Sequence, residues 1–76
     1  MKDILETIIK ALVEDTDAVN INAVEGEKSV VYEVKVAESD MGKVIGRDGK
    51  IARSIRTLIK ALAAKEQKRV TIEFIG

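Results

Sequence analysis

Apolar and polar residues alternate along this chain with two different periods, and the changes of period mark its elements. Ile4, Leu5, Ile8, Ile9 and Leu12 recur at helical spacing and predict an amphipathic helix over residues 2–13. The wholly polar run Glu14-Asp15-Thr16-Asp17 then reads as a loop. Val19, Ile21 and Ala23 alternate with Asn20 and Asn22, and Val30, Tyr32, Val34 and Val36 alternate with Glu33 and Lys35. That is the period of two of half-buried strands. Glu25-Gly26-Glu27-Lys28 separates them as a hairpin turn in which Gly26 is free to take a positive φ.

Ser39 or Asp40 is placed to cap a short helix running to about Ile45, with Gly42 as an unfavourable residue inside it. A longer helix is predicted from Lys50 to about Ala64, with Ile51, Ile55, Leu58, Ile59 and Leu62 on its apolar face. Arg53, Arg56 and Lys60 fall on the opposite side. Val70, Ile72 and Phe74 alternate with Thr71 and Glu73 in a last strand. The order is helix, strand, strand, helix, helix, strand. Two helices between the second and third strands are long enough to leave those strands parallel. The expected fold is therefore α+β: one domain over residues 1–76, a three-stranded mixed sheet with three helices packed on one face. Lys35, Glu33, Asn20, Asn22, Thr71 and Glu73 suit the open sheet face, with Val31 and Ile75 as exceptions.

Composition narrows the chemistry. The chain has 76 residues, 46% apolar and 34% charged, enough for one core and a solvated surface. It contains no Cys and no His, which removes disulfides, thiolate nucleophiles, imidazole bases and the common zinc sites. The acids Glu14, Asp15 and Asp17 lie in or beside one loop and read as solvated surface. No nucleophile–base pair is evident, so no catalytic, metal or cofactor role is expected. No apolar run approaches the ~20 residues needed to span a bilayer. Residues Met1 to Glu6 do not resemble a signal peptide, and the expected compartment is the cytoplasm.

The formal net charge is zero, but it is unevenly distributed. Residues 1–39 hold four Lys and nine Asp or Glu, a net of −5. Residues 40–60 hold six Lys or Arg against Asp40 and Asp48, a net of +4. Such a local field can guide a polyanion even when the total charge vanishes.

The positive segment surrounds the most unusual stretch of the chain, Val44-Ile45-Gly46-Arg47-Asp48-Gly49-Lys50. Two glycines let backbone approach a phosphate chain with no Cβ in the way. The N-terminus of the helix that follows offers unpaired N–H groups, while Arg47 and Lys50 add charge. Neither a Walker loop nor a dinucleotide fingerprint is complete here.

This run, continuing through Ile51 and Ala52 and set among the strands described, resembles the GXXG loop of a type II KH domain. The whole chain is similar to the KhpA family of small bacterial stand-alone KH proteins. The resemblance implies single-stranded RNA binding, a role as an RNA chaperone, and pairing with a larger Jag-like (KhpB) RNA-binding protein. It also implies a link to cell-wall synthesis and cell length. By resemblance Gly46, Arg47, Asp48 and Gly49 match the phosphate-contacting loop, and Val44 and Ile45 match residues that set up the groove. Lys50, Arg53 and Arg56 extend the RNA-binding set along the helix. The chain departs from the general KH pattern at Ala52, where Ile is usual, and at Asp48, whose carboxylate opposes the charge of Arg47.

The expected mechanism is binding without chemistry, with about four nucleotides held extended in one groove. The glycine loop and its helix form one wall, and the last strand with the Lys65 to Arg69 connection forms the other. Tyr32 and Phe74 sit on strand faces shared with Val and Ile, so both read as core rather than as stacking platforms. Two other readings remain open at this level. One is a protein-interaction module, a homodimer or a heterodimer built on the apolar helices, with little RNA affinity of its own. The other is a double-stranded DNA reader built on the two helices around the short turn.

Overall fold

The computed structural model describes residues 1–75. Its first helix, α1, spans Lys2–Leu12 and buries Leu5 and Ile9, four residues apart on one face. It ends where Val13 turns to an extended backbone. Strand β1, Asn20–Glu25, pairs antiparallel with β2, Ser29–Lys35, placing Ile21 opposite Val34 and Ala23 opposite Tyr32. The last strand, β3, spans Arg69–Ile75 and lies parallel to β2, with Val30 beside Val70 and Tyr32 beside Ile72. The sheet order is β1-β2-β3, so the strand with the most continuous apolar alternation is the central one.

The α-β-β-α-α-β order and the mixed sheet with three helices packed on it are those expected from the sequence. Leu5, Ile9, Val34, Val44 and Ile59 are completely buried between helices and sheet. The opposite face is polar, and there the Asn22 amide donates to Glu33 at 2.9 Å. Val24 joins Ile75 as an exposed apolar side chain on that face, an exception the sequence did not flag.

Three local expectations are corrected. Gly26 does not adopt a positive φ. It closes the hairpin by donating its N–H to the Ser29 carbonyl at 2.7 Å, and a Cβ there would lie 2.8 Å from the Ser29 hydroxyl. The hairpin therefore needs no left-handed residue at this position, and a Cβ there would require only that the exposed Ser29 hydroxyl rotate away.

The second correction concerns helix α3, Lys50–Lys65. Its fully packed stripe is Ala52, Ile55, Ile59 and Ala63, while Leu58 is 47% exposed. Two of the four buried positions are small alanines. The larger Ile51 and Leu62 are half-buried on its flank.

The third is Asp40. It does not cap helix α2, Met41–Ile45, because its own backbone is already helical and the chain enters through a 3-10 turn at Glu38–Asp40. Its carboxylate is instead buried and reaches across the fold. It accepts the backbone N–H groups of Glu14 and Asp15 at 3.3 and 3.0 Å, and Lys43 Nζ stands 3.3 Å away. Lys43 also pairs with Glu14 at 3.0 Å. A buried carboxylate is tolerated only when so satisfied. This one ties the segment after α1 to the helix that leads into the glycine loop.

The Asp15 N–H, followed by the Glu14 N–H and Lys43, holds the Asp40 carboxyl below its ordinary range. A carboxylate with a depressed folded-state pKa stabilises the fold above its unfolded value of about 3.9, and that stabilisation is lost as pH falls through the folded value. Asp40→Asn is therefore expected to lower the thermal midpoint by several degrees at neutral pH. Below about pH 4 the gap from wild type should narrow. Calorimetric scans across that range check both statements.

Candidate functional site

The chain turns from α2 into α3 through four residues, three of them at positive φ: Gly46 at 76°, Asp48 at 56° and Gly49 at 73°. The Gly46 N–H still bonds back to Gly42 at 2.9 Å, closing α2. The Gly49 N–H bonds to the Gly46 carbonyl at 3.2 Å, closing the loop on itself. The two glycines are needed for different reasons. A Cβ on Gly46 would lie 2.6 Å from Ile51 Cγ1, so its hydrogen permits the loop to rest on α3. Gly49 meets nothing within 4 Å, and only its left-handed backbone calls for glycine. Asp48 takes the left-handed region because a short polar side chain tolerates it better than most.

Gly49 is also the N-cap of α3 and supplies no side-chain partner to the helix. The first-turn N–H groups of a 16-residue helix thus lack a side-chain cap and form a positive dipole end at the loop. Arg47, Lys50 and Arg53 surround this end, and all three are exposed. None is ion-paired among the described residues, whose salt bridges involve only Lys10 and Lys43. Lys43, counted with the positive segment, is held by Glu14 and Asp40. Asp48 is exposed at the loop tip, the one acid within the turn.

The remaining residues of the predicted set separate by role. Val44 is fully buried and acts through packing, while Ile45 and Gly46 are half-buried behind the loop. Arg56 leaves the exposed face on which the sequence placed it. It is half-buried at the seam between α3 and β3, where its Nε donates a long bond to the Ile72 carbonyl at 3.3 Å. Its guanidinium lies 5.4 Å from the centre of the Phe74 ring, a cation–π distance. Phe74 is thereby covered on one side, and Tyr32 is buried, so neither is a free stacking platform. The sequence missed the Asp40 clasp behind α2. An acid three residues before Lys43 reads as a helix N-cap unless its distant partners are known.

The family model described as KhpA/KhpB, KH domain matches residues 2–74. The chain belongs to this KH-domain family. Among its relatives, "RNA-binding protein KhpA" of Clostridium acetobutylicum is 57% identical over 75 residues, covering 99% of this chain and 100% of the relative. The protein of the same name in Caldanaerobacter subterraneus is 55% identical with the same coverage. That of Aquifex aeolicus is 45% identical, covering 99% of this chain and 95% of its own. No solved structure matches the chain. The KhpA-type assignment makes the chain a non-catalytic KH binding module.

The two loop glycines should respond differently to alanine. Gly49→Ala meets only backbone strain, roughly 1–2 kcal/mol for a left-handed residue. Gly46→Ala adds the collision with Ile51 and should destabilise more, or shift the loop. Urea unfolding of both variants, with amide chemical shifts of the loop, reads the difference.

Proposed function

We propose that this protein binds single-stranded RNA without chemistry, as an RNA chaperone, through the Gly46-Arg47-Asp48-Gly49 loop and the first turns of α3. The observation that carries the reading is the coincidence at one place of a backbone free of side-chain bulk, an uncapped helix N-terminus and unpaired cations. The relatives' shared description as RNA-binding supports it.

RNA phosphates pass over Gly46 and Gly49 and meet the amides of the α3 N-terminus. Arg47, Lys50 and Arg53 neutralise them. Arg56, anchored on Ile72 and Phe74, presents its free guanidinium edge along the α3–β3 seam. Val44 and Ile45 hold the loop from behind. Asp48 at the tip weakens phosphate binding, which suits a binder that must release its RNA. A groove for about four nucleotides, with little aromatic surface for stacking, gives shallow sequence preference and low affinity in one domain.

Low single-domain affinity favours pairing, because joining two sites raises avidity without new contacts. We place self-association, or pairing with a Jag-like KhpB protein, on the α3 segment between Arg56 and Ala64. Leu58 is 47% exposed there, and Ala61 and Ala64 permit close helix approach. The same observation supports a second reading, an interaction module with little RNA affinity of its own. No helix of the described residues is long and apolar enough to cross a membrane. A cytoplasmic site of action, with a role in cell-wall synthesis and cell shape, accords with the family.

Replacing Arg47 and Gly49 together with Asp, in a variant shown folded by circular dichroism, should reduce affinity for a single-stranded oligonucleotide at least tenfold. For wild type, about three neutralised phosphates predict a slope near −2 for log affinity against log salt, at roughly −0.7 per phosphate. Unchanged affinity in the folded variant removes the loop assignment. A slope near zero favours the interaction module. Sedimentation across a wide concentration range, alone and with the Jag-like protein, should show a dimer; a monomeric mass in both removes the pairing.

A further inference from the structure

The α3–β3 connection carries a second concentration of positive charge, far from the glycine loop. Two adjoining open clefts of about 560 and 420 Å³ meet there, sharing Lys68 and Arg69. The first is completed by Lys28, Ser29 and Gln67, and the second by Lys60, Val70 and Thr71. No acidic residue lines either cleft. Lys28, Lys60, Lys68 and Arg69 are all exposed, and none is ion-paired among the described residues.

The backbone holding these cations is fixed. Lys68 donates its N–H to the Ala63 carbonyl at 3.0 Å and Gln67 to Ala64 at 3.1 Å, the bonding pattern of a Schellman motif. Gln67 occupies its left-handed position at φ 57°, where glycine is the usual residue. The Arg69 N–H then bonds to the Lys28 carbonyl at 2.9 Å, joining the hairpin turn to the start of β3. Two of these bonds satisfy the Ala63 and Ala64 carbonyls in the last turn of α3.

Position separates this region from the first site. Lys50 and Lys65 are the ends of α3, so about 22 Å of helix at 1.5 Å per residue lies between the glycine loop and the connection. The Lys65 to Arg69 connection lies at the opposite end of α3 from the glycine loop. Arg53, Arg56 and Lys60 are spaced by three and four residues along α3 and bridge the interval. Arg56 reaches Ile72 and Phe74, and Lys60 shares a cleft with Val70 and Thr71, so this line follows the β3 edge. A row of cations along one edge, ending in a cationic cleft, matches a linear polyanion better than a compact one.

We propose that the clefts around Lys28, Lys68 and Arg69 form a second phosphate-binding site, which engages the same RNA strand beyond the nucleotides held at the glycine loop. This rests on the RNA-binding reading of the loop and extends it. The footprint then exceeds four nucleotides and enters the range of roughly 4–16 that single-strand-binding folds occupy. Affinity depends on RNA length even in a single copy of the chain.

The test compares wild type, Lys28→Gln/Lys68→Gln/Arg69→Gln and Arg47→Asp/Gly49→Asp, each shown folded by circular dichroism. Each is titrated by NMR with unstructured RNAs of about four and about twelve nucleotides, lengths within the same range. Wild type should bind the longer RNA at least tenfold more tightly. Its salt slope should also be steeper by about 1.4 for two added phosphate contacts. The triple variant should lose that gain and the added slope while binding the short RNA as wild type does. Equal binding of the longer RNA by wild type and triple variant overturns the second site, as does a wild type indifferent to length. Unchanged short-RNA binding in the loop variant instead overturns the loop reading, and the two failures are read on different proteins.

Discussion

The contact of Gly46 with Ile51 constrains everything else in this molecule. A chain that ends one helix and starts another within four residues must reverse sharply, and here it does so with three left-handed residues. The hydrogen on Gly46 lets that reversal rest directly on the α3 side chain, where any Cβ would lie within 3 Å of three Ile51 atoms. At the end of the turn α3 begins after Gly49 with no side chain capping its amides, the Lys50 N–H bonding back to the Arg47 carbonyl. The two glycines divide the work: Gly46 seats the turn on Ile51, and Gly49 leaves the start of α3 without a side-chain cap.

The scaffold holds this loop from behind at two levels. Val44 plugs α2 into the core, and the Asp40 carboxylate ties α2 to the segment after α1 through two backbone amides and Lys43. On the other side, α3 buries Ala52, Ile55, Ile59 and Ala63, and Arg56 spans to β3 at Ile72. The loop is an exposed turn mounted on fixed helices. A turn held in this way loses little ordering entropy if a ligand docks on it.

Much of this was legible in the sequence, and the residues show why. Period-two alternation in Val30 to Val36 and Val70 to Phe74 marks strands because each has one buried face. Two intervening helices leave no short route for an antiparallel pair. The turn between α2 and α3 was legible because two closely spaced glycines interrupt the helical pattern there, and both take positive φ. What escaped notice depends on distance in the fold. Asp40 looks like a helix cap by local pattern, yet its partners lie 25 and 26 residues away. Leu58 looks like core by hydrophobicity, but it lies at the edge of the apolar stripe and is exposed, while Ala52, Ile55, Ile59 and Ala63 take the buried line. The second cationic region was invisible as a cluster, since Lys28 and Lys68 are forty residues apart and are brought together by the parallel pairing of β2 with β3 and the Arg69–Lys28 backbone bond.

The central claim is that nucleic acid lies over the glycine loop and the helix behind it, not on the open sheet. Amide chemical shifts recorded while a short single-stranded RNA is titrated into the protein test this residue by residue. The account predicts the largest changes from Gly46 to Arg53, with Asn22, Glu33 and Glu73 on the open face unmoved. Changes centred on those sheet residues, with the Gly46–Ala52 amides silent, would contradict it.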